Sequence, residues 1–309
     1  MQILFQTRFR FLSLVLLMLA LAGCGQSQEP SSSALGGPKP AVADTTAAVK
    51  LKPASRVVAL TSLSADILYR LDQTKLVAIP GSQLLSKNQD FAALPRVSEG
   101  RTPPNLEKII ALKPDLVVGA AGFHDPAIAK LKSLGIQTLL SEVDSWRSLI
   151  ELTQTLADAV GADAAPLLAQ YQGFLDKTST SSDATSSGAT LVLASRQPLM
   201  SPNAKSWAGD LLTQLNVKNV AIDLQGNSPM RGYITLSPEK ILEANPDSVI
   251  LVNTPQGDIE KIKSEPFWNQ LKATQNQQVY TFDYYGLVNP GSIDAIEKAT
   301  SQLKANLTQ

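Results

Sequence analysis

Apolar residues recur at helical spacing from Leu106 (Leu106, Ile109, Ile110), break at Lys113-Pro114-Asp115, and resume as the run Leu116-Val117-Val118. The same succession returns later: Ile241 and Leu242, a break at Asn245-Pro246-Asp247, then "SVILV" from Ser248. Glu, Lys, Ile, Pro, Asp and Val hold identical offsets in "EKIIALKPDLVV" and "EKILEANPDSVI". Helical spacing predicts a helix, and a short apolar run after a turn predicts a buried strand. A residue that precedes proline avoids helical geometry, so Lys113 and Asn245 should end their helices. Each copy therefore reads as helix, tight turn and strand.

Similar units surround both copies. "RVVAL" from Arg56 is a strand, "SADILYRL" a helix, and "LVAIP" a second short strand. "AIAKLKSLG" is a helix stopped by Gly135, with "IQTLL" as the strand after it. In the second half "TLVLA" is a strand, "SWAGDLLTQL" a helix, "QQVYTF" the last strand, and a terminal helix starts near Ser292. Between the halves, "SWRSLIELTQTLADAVG" and "DAAPLLAQYQGFLDK" are long helical patterns, followed by the polar loop "TSTSSDATSSGA". Alternating strands and helices imply α/β architecture with a mainly parallel, helix-flanked sheet in each half. The expectation is two lobes joined by helix, with a cleft between them.

The N-terminal stretch follows another pattern. Arg8 and Arg10 precede "FLSLVLLMLALAGC", an apolar run too short to span a bilayer comfortably. This reads as a secretory leader, and "LAGC" resembles a bacterial lipobox, which implies cleavage before Cys24 and lipidation of that residue; the alternative is a plain signal peptide with a chance cysteine. Cys24 is the one cysteine of the chain, which excludes an internal disulfide and a thiolate metal cluster. The following "GQSQEPSSSALGGPKPAVADTTAAVK" has too few large apolar side chains to offset its ordering entropy, so it reads as a flexible tether. The expected boundaries are a leader over 1–23, a tether over 24–54, a first lobe over 55–160, an interlobe helix over 161–180 and a second lobe over 181–309. A lipid at one end of a tether places the folded part on the outer side of the cytoplasmic membrane, facing periplasm or cell exterior.

Composition changes this picture little. The 309 residues carry 27 basic and 27 acidic side chains, and the chain turns slightly acidic once Arg8 and Arg10 leave with the leader. Such a balance argues against a nucleic-acid partner.

From about Arg56 onward the chain resembles the substrate-binding proteins of ABC importers for ferric siderophores, ferric citrate, haem and cobalamin. The resemblance rests on "RVVAL…SADILYRL", "NLEKIIALKPDLVV", "SPEKILEANPDSVILV" and "FWNQLKATQNQQVYTFD", in the family's order. It implies a class III periplasmic-binding-protein fold with one long interlobe helix, small closure around ligand, a monomeric chain and an ABC permease dimer as partner. In that family one glutamate per lobe meets arginines of the permease, and the matching positions here are Glu107 and Glu239. On charge alone, both are also simply favourable acidic residues in the first turn of a helix.

The resemblance places ligand residues in loops at strand ends. Arg101, in "EGRTPPNLE", and Arg196, in "LVLASRQP", match arginines that reach the chelate, and a guanidinium fork suits carboxylate, hydroxamate or catecholate oxygens. Either is otherwise a solvated surface residue. Tyr284 and Tyr285 follow the last strand, and Arg231 and Tyr233 in "MRGYITLS" offer another wall. One of the adjacent tyrosines is alternatively core, and Trp207 fits core packing as well as ligand contact. The single histidine, His124, reads as a lone exposed residue and touches ligand only if its loop faces the cleft, and one histidine is too few for a zinc or manganese carrier. An iron chelator would then supply the metal's ligands, and no resident cofactor or protein-held metal is expected.

An enzyme is not expected, since the chain lacks the G-x-S-x-G, P-loop, G-x-G-x-x-G and H-E-x-x-H motifs. A structural or adhesive surface lipoprotein is a second rival, and it would lack convergent Arg and Tyr residues in a cleft. The leading expectation is capture of an anionic Fe(III) chelate and its delivery to the permease. Within the same class, cobalamin and haem are the alternatives.

Overall fold

The computed structural model describes residues 51–100, 102–176, 188–196, 198–224, 230–254 and 259–307. Cys24, the leader, the tether and Arg101 lie outside the described residues, as does the side chain of Arg196. No helix among the described residues is long and apolar enough to cross a membrane.

Ten strands are described: β1 (Val57–Ala59), β2 (Leu76–Ala78), β3 (Leu116–Ala120), β4 (Gln137–Ser141), β5 (Thr190–Leu193), β6 (Ser195–Arg196), β7 (Leu199–Pro202), β8 (Tyr233–Thr235), β9 (Ser248–Asn253) and β10 (Val279–Asp283). The first lobe holds a parallel sheet in the order β2-β1-β3-β4, and the second a parallel sheet in the order β10-β9-β5. The pairings β1-β3-β4 and β5-β9-β10 are the same motif. Val57 faces Leu116 in the first, and Thr190 faces Ser248 in the second. The two-lobed α/β expectation is met.

The duplicated stretch accounts for this likeness bond by bond. Asn105 and Ser237 cap the helices Leu106–Ala111 and Pro238–Ala244, accepting from the amides of Lys108 and Lys240. Lys113 (φ 49°) and Asn245 (φ 36°) both end their copies in left-handed geometry. The Asp115 carboxylate then accepts from the amides of Ser55 (2.7 Å) and Arg56 (2.9 Å), and its own amide donates to the Arg56 carbonyl (3.0 Å). Asp247 does the same to Ala189, at 2.7 Å through the side chain and 2.8 Å through the amide. In each lobe the aspartate of Pro-Asp fixes the residues leading into the sheet's neighbouring strand.

Side chains alternate across the strands, as the two-residue period requires. Val57, Ala59, Leu116 and Val118 face one common core together with Val192, Ala194, Ile250 and Val252 of the second lobe. Val58 and Val117 face a separate outer core, and Leu191, Leu193, Val249 and Leu251 face another. Between the two inner faces lie the helices Ser62–Asp72, Trp146–Val160, Ala165–Leu175, Trp207–Gln214 and Ile293–Leu307, whose apolar residues belong to the same core. The helix foreseen over 161–180 runs from Ala165 to Leu175, and Trp146–Val160 shares the interlobe position with it.

Polar bonds reinforce this layer. The Trp146 amide donates to Asp210 Oδ2 at 2.7 Å, and Trp146 stacks on Trp207 with ring centroids 5.9 Å apart. Asp66, buried in the first helix, accepts from the Ile293 amide at 2.7 Å and from Arg70 Nε at 3.2 Å. Arg70 also reaches Asp294 at 2.6 Å, so the terminal helix is tied back to the first lobe.

The second lobe carries one element that periodicity did not announce. β6, β7 and β8 form a separate antiparallel sheet. β6 is two residues long, too short for an alternating pattern to register.

Asp66→Ala leaves the Ile293 amide and Arg70 without their shared acceptor, and should cost about 2–3 kcal/mol in urea denaturation. Asp294→Ala, at a well-exposed carboxylate, should cost no more than about 1 kcal/mol. Lys272, and after it the Ala189 amide, hold the Asp247 carboxyl below its ordinary range. A lowered pKa contributes stability that is present above the ordinary carboxylate value of about 4 and is lost as pH falls through the lowered one. Acid titration of Asp247→Asn should show a shallower loss of stability over that window than the unmodified chain.

Candidate functional site

In a parallel α/β sheet the strand C-termini end in loops free to build a site. Here the two sets of loops are brought together at two places. On one side, Arg231 in the loop before β8 pairs with Glu142 (2.6 Å) and Asp144 (3.7 Å), which directly follow β4 of the other lobe. On the other side, Tyr285, in the loop after β10, crowds Gly291, and Leu84 of the first lobe meets the same point. A Cβ at position 291 would lie 2.4 Å from the Tyr285 ring and 2.8 Å from Leu84 Cδ2. Both contacts bridge the two lobes beside strand C-terminal ends.

Tyr284 and Tyr285 sit edge to face, centroids 5.4 Å apart, where β10 gives way to a short kinked turn. Tyr284 packs against the shared core while Tyr285 leans on Gly291. Tyr233 is half-buried against the same core, and burial, with Tyr284 adding to it, pushes its phenol well above the ordinary value. That phenol stays protonated at neutral pH and offers a hydrogen bond rather than a phenolate. No group of three or more His, Cys, Asp or Glu residues suited to a metal ion occurs among the described residues.

Trp207, left open between two roles, is core: it is 3% exposed, stacks on Trp146, and donates from Nε1 to the Gly286 carbonyl at 2.8 Å. Its contribution to the cleft is to hold the Tyr284–Gly286 turn in place. Arg231 is exposed, but its charge is matched by two carboxylates. His124 is half-buried and its Nδ1 accepts from the Ala120 amide at 3.0 Å. Burial holds its pKa below the ordinary value, so the neutral ring persists.

Glu107 and Glu239 are both exposed in the first turns of equivalent helices. Each helix leads back to a strand of its lobe's sheet, so its start lies at the strand C-terminal end, the end that bears the cleft. The Ser237 hydroxyl, and after it the residue's own amide, hold the Glu239 carboxyl below the ordinary range.

Phe123, Glu142 and Asp144 stand at this end of the first lobe and were not singled out from the sequence. The Ala121 amide donates to the Ser141 carbonyl at 2.9 Å, which sets the Phe123 turn beside Glu142. The available signal was positional, since all three residues fall just past predicted strands. A cavity of about 530 Å³, lined by Asp66, Tyr69, Arg70, Asp72, Asn88 and Asp294, is a different place. It borders the residues that lead into β2, at the other end of the sheet, and its Asp66 and Arg70 are occupied by the structural ties already described.

The chain is 26% identical to the lipoprotein YhfQ of Bacillus subtilis (strain 168) over 196 residues, a match that spans 59% of this chain and 60% of that relative. It is 24% identical to the Fe(3+)-citrate-binding protein YfmC of the same organism, covering 74% of this chain and 73% of that one. Identity to the vitamin B12-binding protein of Vibrio cholerae is 25%, over 82% of this chain and 90% of the relative. Among solved structures, an ABC transporter substrate-binding protein from Listeria monocytogenes EGD-e shares the fold with a TM-score of 0.67 at 21% identity, over 83% of this chain and 98% of that one. The periplasmic binding protein family model matches residues 57–285, from the first strand of the first lobe to the tyrosine turn of the second, and the chain belongs to that family.

Proposed function

We propose that this protein is the extracytoplasmic substrate-binding component of an ABC importer, which captures an Fe(III) chelate, siderophore or ferric citrate, between its lobes and delivers it to the permease. The observation that carries this reading is the equivalent placement of Glu107 and Glu239 at the cleft-bearing end of two matched lobes. Two carboxylates so placed fit a two-fold symmetric partner with basic residues, and exposed charge pairs of this kind orient docking more than they tighten it. The name of the Fe(3+)-citrate-binding relative agrees with the ligand class. In this reading Arg101, Arg196 and Arg231 hold the anionic oxygens, Tyr233, Tyr284 and Tyr285 form the wall, and Cys24 carries the lipid anchor of a monomer.

A second reading, cobalamin or haem, draws on one observation: Arg231 already has two carboxylate partners, which lowers the positive charge available to an anionic ligand. The vitamin B12-binding relative points the same way.

Titration with ferric citrate, a ferric trihydroxamate, a ferric catecholate, haem and cobalamin, followed by tryptophan fluorescence, separates these readings. Trp207 touches the tyrosine turn and is a natural reporter. A ferric chelate should bind, and Arg101→Ala should weaken it by roughly 10- to 100-fold, the worth of one charge-assisted bond. Cobalamin binding alone, unchanged in Arg101→Ala, would overturn the iron reading. Charge reversal by Glu107→Arg and Glu239→Arg should reduce uptake severalfold in cells while ligand affinity in solution stays the same. Equal uptake by the doubly reversed protein would remove the docking role.

A further inference from the structure

Arg231 of the second lobe divides its terminal nitrogens between two acids of the first. Nη1 lies 2.6 Å from Glu142 Oε1, and Nη2 lies 3.7 Å from Asp144 Oδ2. One acid would neutralise the guanidinium, and the second leaves the group with a net negative charge. An exposed pair contributes no more than about fivefold to an equilibrium constant, so the arrangement is a weak tie but a marked local charge.

Neither side of the contact is loosely held. Gly232 takes φ +79°, and a Cβ there would lie 2.7 Å from the Lys205 carbonyl, so the chain passes Arg231 in a form that only glycine allows. The Asn203 amide donates to the Gly232 carbonyl at 2.9 Å, and the Tyr233 amide to the Met230 carbonyl at 3.3 Å. On the opposite lobe the Asp144 amide donates to Ser148 Oγ at 3.1 Å, and Ser145 and Ser148 cap the helix that follows. Arg147, the next cation along that helix, is turned to Glu151 at 2.9 Å. Both acids thus meet Arg231 from a set backbone, while the guanidinium side chain is still 70% exposed and open to exchange with other oxygen anions.

We infer that Glu142 and Asp144 are specificity-determining residues that act through Arg231, competing with the anionic oxygens of the captured molecule for one guanidinium. This rests on the importer reading and narrows it. A guest with one anionic oxygen replaces one acid and leaves the other in place. A chelate with several clustered carboxylate or catecholate oxygens offers the planar fork a two-point exchange, and a neutral chelate gains nothing from it. The acids thereby set a charge threshold, and the ligand class is a polyanionic chelate. Neither acid touches the guest in this scheme, so both are positioning residues.

Isothermal titration of the full chain tests this with three anionic probes, ferric citrate, a ferric tris-catecholate and haem, and two neutral ones, a ferric trihydroxamate and cobalamin. The doubly neutralised protein, Glu142→Gln with Asp144→Asn, should bind the anionic probes about 3- to 10-fold more tightly and the neutral probes as before. In an Arg231→Ala background the same two substitutions should change nothing, which separates release of Arg231 from a general rise in positive potential. Melting temperature should move little, since none of the three side chains is buried. A gain that persists without Arg231, or one equal for neutral and anionic probes, would overturn the inference. So would a joint fall of melting temperature and affinity, which makes the bridge structural. Equal affinity of the unmodified and neutralised proteins for an anionic probe would also overturn it and leave the importer reading standing. If the unmodified chain binds only neutral probes, the neutralised protein should acquire anionic binding, and its failure to do so counts against the inference. If neither protein binds any of the five, the inference and the importer reading fall together.

Discussion

The inner faces of two separate sheets share one apolar core, and this constraint governs the rest of the molecule. Val57 and Val118 on one side, Val192 and Ile250 on the other, belong to a single packed cluster filled by the helices between them. Interiors at close-packed density resist sliding, and a gap opened there would forfeit both burial and contacts. The stack of Trp146 on Trp207 and the Trp146–Asp210 bond secure the same layer. The two sheets are consequently held to one another by packing.

The duplicated stretch has two jobs that fall on different residues. Its turn half is structural: the αL residue, the proline and the aspartate redirect the chain and fix the entry to a neighbouring strand. Its exposed half is the glutamate, which makes no contribution to either core. Folding explains the aspartates and the turn residues, and acid in the first helical turn also complements the positive end of each helix.

Much of this was legible in the sequence because the relevant signals were periodic. Both copies of helix, turn and strand stand where apolar spacing put them, with Lys113 and Asn245 ending the helices as their prolines demand. The antiparallel sheet was not legible, since β6 offers two residues and no alternation. Trp207 was ambiguous because an amphipathic helix start looks the same whether its aromatic faces core or cleft; only the Trp146 stack and the Gly286 bond decide it. The pairing of Arg231 with Glu142 and Asp144 is a contact between distant segments, which no local pattern encodes. Phe123 stands alone between a glycine and the histidine that drew attention, and a single residue has no period.

The bond from the Ile293 amide to Asp66 joins positions 227 residues apart. A ribosome delivers the first helix long before its carboxylate can meet that amide, so the nascent first lobe carries an acidic group paired only with Arg70 of its own helix on a surface meant for burial. Completion of either half waits on the closing segment of the polypeptide. The two lobes look like independent modules on paper, yet they mature as one cooperative body, and contacts of such long range slow the search for the native state.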